Sequence, residues 1–446
     1  MRRVAISLAL GSSLFLNACS AHSPAPLPPG APSDSQTVSG AQFPANATET
    51  VLHSFGAPGD GAGPSSGVIA DAKGDLFGTT IFGGATGNGT IFEMKPKGDG
   101  TYTESVLYSF TGGPDGGRPV AGLAMDSHGA LYTNALSGAN AGCFGGCGTV
   151  VKLTPGTKGY TETTLYSFNP APDANQPIGT PVVDSAGAVY GSTQSGGTSK
   201  NGAVYRLVPG KSGYTESVIY SLPGGIGGTG PQSGVALDAH GNVFGETASG
   251  GDINFPCEGQ CGVVFKLTRA GGTYTPQTIV EFHGHDGGEP IAAVTVDNAT
   301  GSVYGPTILP GFGLIFSATP DSHGHYSETV VHTITGQQTG APGSPLLLTP
   351  NGTLYGTMRL GGGGCSGIGC GQVFKLGRNG NKFFWSVIFG FRNALNGADP
   401  ENTSLIQDAQ GALYGTMRSG GTETTCYDGG PGGALGCGVV FKLTNF

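Results

Sequence analysis

The sequence is poor in charge, and above all in positive charge. Only 11% of its 446 residues are charged, and 20 Lys and Arg stand against 29 Asp and Glu, which gives a formal net charge of -9. Nucleic acid is therefore an unsuitable partner, because phosphate binding requires clustered basic side chains. Glycine, in contrast, is abundant at 85 residues. Each glycine inside a helix costs about 1 kcal/mol relative to alanine, so helical bundles and coiled coils are excluded.

The hydrophobic run at the N-terminus is too short to cross a bilayer. Val4–Leu16 contains 13 residues, whereas a membrane-spanning helix needs about 20. The run follows two arginines and precedes an Asn-Ala-Cys sequence that ends at Cys19, a pattern that resembles the bacterial lipoprotein signal. The resemblance implies a signal peptide at residues 1–18 and lipidation of Cys19. The alternative is an ordinary secretory signal that contains a cysteine.

Residues 19–48 form a segment rich in Pro, Ala and Ser. This segment has too little apolar surface to offset the entropy of ordering, so we expect a disordered tether. A multiply acylated Cys19 holds a chain on a membrane, because each buried CH₂ contributes about 0.8 kcal/mol. In this type of signal, Ser20 is compatible with outer-membrane sorting. These features predict a lipid-anchored protein of the bacterial cell envelope, with the membrane as its partner, on the periplasmic or surface side of the outer membrane.

One unit of sequence recurs seven times after the tether. Its marker is Leu or Val followed by Tyr or Phe, at intervals of 51 to 60 residues. The copies are Leu76-Phe77, Leu131-Tyr132, Val189-Tyr190, Val243-Phe244, Val303-Tyr304, Leu354-Tyr355 and Leu413-Tyr414. Each unit holds four short runs of β-branched and aromatic residues separated by turn residues, which is typical of a four-stranded propeller blade. A stacked β-solenoid, the alternative, requires a shorter repeat.

The two ends of the repeat region are complementary. The region begins with the sequence of an outer strand, Glu49–Phe55, and ends with the sequence of a third strand, Gly438–Leu443. Pairing these two segments completes seven blades and removes free strand edges, which favour aggregation. We therefore predict an all-β, seven-bladed β-propeller over residues 49–446, closed by the N-terminal strand.

The repeated strings themselves resemble a known family. Leu-Tyr-Ser-Phe at 107–110, Asp-x-x-Gly-x-Leu-Tyr at 126–132 and Gly-x-Val-Phe-Lys-Leu at 262–267 are similar to the bacterial Gloeo_Verruco (GloVer) tandem repeat. The similarity covers about residues 49–446. It implies an exported repeat protein and no defined reaction.

Eight of the nine cysteines form four local pairs. The pairs are Cys143/Cys147, Cys257/Cys261, Cys365/Cys370 and Cys426/Cys437, each in the loop before the third strand of its repeat. In an exported protein this spacing predicts four disulfides within loops. Zinc ligation is the alternative, but it requires four sulfurs within about 4 Å of one another, and the pairs in repeats two and four are separated by an intervening blade.

Successive connections of an antiparallel blade alternate between its two faces. The loops between blades, such as residues 112–117, and the Cys-bearing loops, such as residues 143–147, should therefore emerge together on one face, which we call the loop face. Long, disulfide-stiffened loops around a central opening are where a propeller binds. We expect a glycan or protein ligand there, and a binding or scaffold module without enzymatic activity, because the repeats are uniform and no catalytic set converges in the sequence.

Acidic and histidine side chains in these loops are candidates for other functions. Asp115, Asp173 and Asp286 are candidate Ca²⁺ ligands, but Asp-Gly is also ordinary turn chemistry and one acid per blade is too sparse for a cage. We therefore predict no cofactor. His283 and His285, with Asp286 and Glu289 nearby, suit metal binding or acid-base catalysis, although loop histidines are mostly solvated. They support the alternative function, a lyase or hydrolase that acts on a polysaccharide or lactone at the channel mouth.

Overall fold

A computed structural model describes residues 47–251, 261–335, 340–363, 365, 369–380, 382–392, 394–400, 402–423, 426 and 436–446. The predicted signal peptide, Cys19 and nearly all of the predicted tether lie outside these ranges. The described residues contain thirty strands and two short 3-10 helices, Gly225–Gly227 and Ala394–Asn396. No helix in this part of the chain has the length and apolar character needed to span a membrane.

Twenty-eight of the strands form seven antiparallel four-stranded sheets, the blades, which we number in chain order. From the innermost strand outward, blade 1 comprises Ile69–Ala70, Leu76–Thr80, Thr90–Pro96 and Tyr102–Ser109, and blade 2 comprises Ala124–Met125, Leu131–Ala135, Thr149–Gly156 and Gly159–Ser167. In the same order, blade 3 comprises Ala174–Val183, Val189–Gly196, Ala203–Gly210 and Gly213–Ser221, and blade 4 comprises Ala236–Leu237, Val243–Thr247, Val263–Ala270 and Thr273–Glu281. Blade 5 comprises Thr295–Val296, Val303–Thr307, Leu314–Pro320 and Tyr326–Thr333, and blade 6 comprises Leu347–Leu348, Leu354–Met358, Gln372–Asn379 and Lys382–Gly390. Blade 7 comprises Ile406–Gln407, Leu413–Met417, Val439–Thr444 and, outermost, Thr48–Ser54. Gly61–Ala62 and Phe82–Gly83 pair as a separate ribbon. The predicted all-β, seven-bladed propeller is confirmed.

The N-terminal strand closes the ring as predicted. Thr48–Ser54 pairs antiparallel with Val439–Thr444, and Val51 lies opposite Phe441. The chain ends therefore share blade 7, and its third strand is not left as an open edge.

Seven apolar clusters fill the spaces between neighbouring blades, one at each interface. At the seam between blades 7 and 1, the cluster joins Phe55 and Phe92 to Tyr414 and Val440. Because every blade buries both of its sides in this way, the hydrophobic effect stabilises the ring as a whole rather than single blades.

An aromatic side chain on each second strand reaches the outer strand of the next blade. Phe77 and Tyr160, for example, lie with their ring centroids 6.3 Å apart. The sequence of blade 7 has Ala47 where the other outer strands carry this aromatic. Phe446 packs there against Tyr355 instead, at 6.1 Å between centroids. The C-terminal residue thus supplies the contact that the closing strand lacks.

In six blades a glycine of the second strand lies opposite an aromatic residue of the third. The pairs are Gly78 and Phe92, Gly191 and Tyr205, Gly245 and Phe265, Gly305 and Phe316, Gly356 and Phe374, and Gly415 and Phe441. A β-carbon on Gly78 would collide with the ring of Phe92. Blade 2 has Thr133 opposite Val151, a larger residue against a smaller one. The pair thus keeps its combined volume, as close packing requires.

Gly78→Thr is expected to lower the free energy of unfolding by about 2–3 kcal/mol, because the added atoms overpack the blade against Phe92. Adding Phe92→Val, which copies the pair in blade 2, should restore part of this loss. Urea unfolding of the wild type, both single variants and the double variant measures the coupling. If the losses in the free energy of unfolding of the two single variants simply add in the double variant, the packing explanation is contradicted.

The fourth residue of the second strand connects several blades to the next. Thr79 Oγ1 donates to Ala121 O at 2.7 Å, and Thr416 Oγ1 donates to Ser66 O at 2.7 Å across the seam. Blade 4 has Glu246 at this position and blade 5 has Pro306, whereas the other five blades have a side-chain hydrogen-bond donor there.

Glu246 is 1% exposed and accepts a hydrogen bond from Ser233 Oγ at 2.6 Å. Its other oxygen, Oε2, is buried without a hydrogen-bond partner. Burial raises the pKa of this carboxyl to about 8, against the opposing effect of the Ser233 hydroxyl. The side chain is therefore protonated at neutral pH and carries an O–H group where blades 1, 3, 6 and 7 have the hydroxyl of Thr or Ser.

Candidate functional site

The loops between blades contact the Cys-bearing loops. The N–H of Ala139 donates to Gly113 O at 2.9 Å, and Gly117 pairs with Ser137 as an isolated bridge. Both kinds of loop therefore lie on one face of the ring, as the alternation of connections predicts.

Three predicted disulfides lie within the described residues and are confirmed. They are Cys143–Cys147, Cys365–Cys370 and Cys426–Cys437. Cys261 is also disulfide-bonded, whereas Cys257 lies outside the described residues. The second cysteine of each of the three bridges is buried in the core between its blade and a neighbour. The bridges thus attach the loops to the core, and bonded sulfurs are not thiolate ligands for zinc.

The carboxylates of Asp115 and Asp173 are engaged by their own loops. Asp115 accepts hydrogen bonds from the Tyr108 hydroxyl at 2.8 Å and from Thr111 N at 2.7 Å. Burial alone would raise the pKa of Asp115, but the bonds from Thr111 and Tyr108 hold it below its usual value. Asp173 accepts from the Tyr166 hydroxyl at 2.9 Å. In both loops the acid performs the turn role that the sequence favours.

The structure brings together only part of the predicted histidine group. His283 Nδ1 lies 2.9 Å from Asp286 Oδ2, and His283 N donates to Asp286 Oδ1 at 2.7 Å. His285 is exposed, with its ring centroid 6.2 Å from that of His283. The N–H of Glu289 donates to Cys261 O at 2.8 Å, and burial raises the pKa of its carboxyl. The geometry thus couples His283 to Asp286, which the sequence placed in the same group, and leaves His285 exposed.

A glutamate from the next blade adds to this pair. Glu328 lies on the outer strand of blade 5, where burial, with the charge of Asp286, raises its pKa to about 7 and His283 opposes the shift. His283 and Asp286 therefore lie beside an outer strand rather than an innermost one.

A related arrangement recurs around the ring: a ring-bearing side chain, an acid from the following loop, and a glutamate from the next outer strand. His283 follows its outer strand, which ends at Glu281, whereas in the other copies the ring belongs to the strand itself. These other copies are His53, Asp60 and Glu104; Tyr108, Asp115 and Glu162; and Tyr166, Asp173 and Glu216. Sequence reasoning missed these glutamates as site residues, because each lies more than 40 residues from its partners. The available signal was their constant place after the outer-strand tyrosine.

In the copy at the seam between blades 7 and 1, three potential metal ligands lie close together. His53 Nε2 lies 3.0 Å from Asp60 Oδ2, and Asp60 Oδ1 accepts from Gly61 N at 2.6 Å. Ligand atoms of His53, Asp60 and Glu104 all lie within 4.8 Å of one another. Burial raises the pKa of Glu104 to about 7, with the charge of Asp60 adding to the effect and that of His53 opposing it.

Large apolar side chains are exposed on the loop face. Phe144, at the tip of a disulfide loop, is 77% exposed, and Phe312 in the corresponding loop of blade 5 is 43% exposed. In the loops between blades, Ile226 is 73% and Leu395 is 55% exposed. Within the described residues, two further exposed large apolar side chains, Val330 and Phe384, lie on outer strands. The loop face thus presents the larger share of this apolar surface.

Comparison with known sequences gives one family. A sequence model of the Gloeobacter/Verrucomicrobia repeat matches residues 138–368 and 255–444, which together span more than half of the chain. Among curated proteins, none matches the chain.

Solved structures share the fold at low identity. A protein from Lactobacillus plantarum has a TM-score of 0.53 at 15% identity, over 83% of this chain and 99% of its own. A puromycin hydrolase has a TM-score of 0.49 at 12% identity, over 80% of this chain and 50% of its own. A putative gluconolactonase has a TM-score of 0.41 at 11% identity, over 90% of this chain and 93% of its own. At these identities the likeness concerns the fold and extends to no ligand or reaction.

Proposed function

Because the chain belongs to the Gloeobacter/Verrucomicrobia repeat family, we propose that it is an exported binding module, anchored in the cell envelope through Cys19, that recognises a protein partner with its loop face. Export is supported by the signal-like N-terminus and by the disulfides, which form and persist in oxidising compartments.

The observation that carries the binding role is the apolar surface of the loops. Fully burying a side chain such as Phe144 or Ile226 contributes about 1.5–3 kcal/mol, so a partner that covers these exposed side chains gains affinity from them. Aliphatic tips such as Ile226 and Leu395 offer a sugar neither a stacking surface nor hydrogen bonds. These side chains therefore favour a protein over a glycan.

The disulfides also favour tight binding of a partner. The Cys143–Cys147 bridge holds Phe144 between two fixed points, one of which is buried in the core. A loop that is already ordered loses less conformational entropy when it binds. Phe144 is accordingly the side chain that we expect to contribute most at the interface.

Photo-cross-linking from the loop face is expected to capture one discrete partner. Benzoylphenylalanine replaces Phe144 in one variant and Lys158, an exposed residue in the turn of the opposite face, in the matched control. After irradiation of intact cells, the adduct should form from position 144 only and should appear in the membrane fraction. Cys19→Ser should move the chain and its adduct to the soluble fraction.

The proposal makes three outcomes informative. Equal adducts from positions 144 and 158 would contradict a binding role of the loop face. If glycosidase treatment removes the adduct, the partner is a glycan rather than a protein. A Cys19→Ser chain that stays in the membrane fraction would contradict the lipid anchor.

A further inference from the structure

The seam of the ring brings three potential metal ligands together from three different elements. His53 lies on the closing strand of blade 7, Asp60 on the loop that leads into blade 1, and Glu104 on the outer strand of blade 1. Among the described residues, this is the group of His, Cys, Asp and Glu side chains whose ligand atoms lie within 4.8 Å of one another.

The distance between the ligand atoms of His53 and Asp60 suits one small cation. Zinc binds imidazole nitrogen and carboxylate oxygen at about 2.0–2.2 Å, so two ligands of a tetrahedral ion lie about 3.3 Å apart. His53 Nε2 and Asp60 Oδ2 are 3.0 Å apart, which is close to this spacing. The side chain of His53 is 22% exposed, so an ion reaches the site from solvent and a water molecule has access to the remaining coordination position.

The surroundings orient the ligands. Asp60 Oδ1 accepts from Gly61 N at 2.6 Å, and Asp60 Oδ2 accepts from Gly56 N at 3.2 Å. The ring of His53 packs edge-on against Phe55, with 4.7 Å between centroids. Such outer contacts fix metal ligands in place and strengthen binding.

Glu104 has an oxygen that the protein leaves without a partner. Its Oε1 is buried and accepts no hydrogen bond. A buried polar oxygen without a partner is unfavourable, and a cation can satisfy it. Oε1 of Glu216 and of Glu328 is buried in the same way, and Glu104 differs in forming, with His53 and Asp60, a group whose ligand atoms lie within 4.8 Å of one another.

The equivalent positions around the ring show what His53 changes. In the next two copies a tyrosine stands at this position, and the hydroxyls of Tyr108 and Tyr166 donate to Asp115 and Asp173. A tyrosine donor satisfies the loop acid without an ion. His53 Nε2 keeps a hydrogen bond to Asp60 Oδ2 at 3.0 Å, but an imidazole nitrogen is also a common ligand of divalent transition metals.

We propose that His53, Asp60 and Glu104 bind a divalent transition-metal ion, Zn²⁺ by the chemistry of its ligands, and that the ion links the closing strand of blade 7 to blade 1. Imidazole favours zinc over Ca²⁺ and Mg²⁺, which prefer sites made of oxygen alone. Asp60 belongs to a loop between blades and thus to the loop face, but the ion is held by side chains of this chain alone and does not depend on the loop-face partner.

The test is a zinc titration of the full chain, purified without reductant and stripped with EDTA. We expect isothermal titration and metal analysis to show one Zn²⁺ more per chain in the wild type than in His53→Tyr, which restores the tyrosine of the neighbouring copies. In His53→Tyr the affinity of this site for Zn²⁺ should fall by more than about 100-fold, because losing a direct ligand weakens binding more than losing an outer contact does. Zinc should also raise the Tm of the wild type by a few degrees and leave that of His53→Tyr unchanged.

His325→Tyr is the matched control, since it removes an exposed histidine on another element and should bind zinc as the wild type does. Glu104→Gln keeps the size of the side chain, and it tests the site independently if His53→Tyr folds poorly. The proposal is overturned if the wild type and both of these site variants bind zinc with the same stoichiometry and affinity, or if Ca²⁺ binds the wild type as tightly as Zn²⁺ does.

Discussion

A chain that lacks residues 47–55 is expected to lose its cooperative unfolding transition and to aggregate. The deletion removes the strand Thr48–Ser54, which pairs along its whole length with Val439–Thr444. That third strand then becomes an open edge with unpaired N–H and C=O groups, a template for association. It also removes Phe55, which is fully buried and lies 5.0 Å from Phe92 between ring centroids.

The size of the effect follows from the stability of domains. Truncation of one buried Phe costs about 3–5 kcal/mol, and the total free energy of unfolding of a domain is about 5–15 kcal/mol. Loss of Phe55 together with a strand therefore removes most of the free energy of unfolding. Circular dichroism melts and size-exclusion chromatography measure the result.

A chain that begins at residue 47 is the matched control, and it should melt as the full chain does. At the level of one side chain, Phe55→Ala should cost about 3–5 kcal/mol, and Val330→Ala on an exposed outer strand less than about 1 kcal/mol. A monomeric deletion variant with an unchanged Tm would refute closure by the N-terminal strand.

Glu246 is expected to make the free energy of unfolding decrease as the pH rises from about 5 to about 8. Its pKa in the folded protein is about 8, against 4.5 for the ordinary carboxyl that the unfolded chain presents. The folded state thus holds the proton more tightly, so its stability is greatest below pH 4.5 and declines until the pH passes the folded pKa. Each pKa unit corresponds to about 1.4 kcal/mol, which gives an upper limit of about 5 kcal/mol.

Glu246→Gln should remove this pH dependence, because the amide does not titrate, and its carbonyl oxygen can still accept the hydrogen bond from Ser233 Oγ. Urea unfolding at pH 5 and pH 8.5 measures the difference between the variant and the wild type, and other buried carboxyls cancel in the comparison. Glu281→Gln, on the outer strand of the same blade, is the control. Parallel pH profiles for wild type and Glu246→Gln would show that Glu246 is not the buried acid described above.

The repeat unit and its number were readable from the sequence because they are properties of local order along the chain. Four runs of β-branched and aromatic residues, bounded by turns and repeated seven times, specify blades, and the incomplete ends specify closure. The disulfides were predictable for the same reason, since Cys143 and Cys147 are only four residues apart. The partner of Cys261 is the one part of this prediction that falls outside the described residues.

The contacts between blades were not readable in this way. The sequence grouped His283 with His285, Asp286 and Glu289 because they are neighbours along the chain. The structure pairs His283 with Asp286 and adds Glu328 of the next blade, which no proximity in the sequence indicated. Phe446, likewise, shows no pattern in the sequence, yet it fills the position beside Tyr355 that Ala47 leaves open.

By itself, the sequence determined the strands, the count of blades, the turns and the positions of the disulfide loops, since each depends on residues close together in the chain. Only the tertiary structure decided that His53 and Asp60 meet Glu104, and that Glu246 is buried without a partner for one oxygen. Those contacts depend on how adjacent blades pack face to face, and that packing brings together side chains whose separation in the sequence carries no periodic signal.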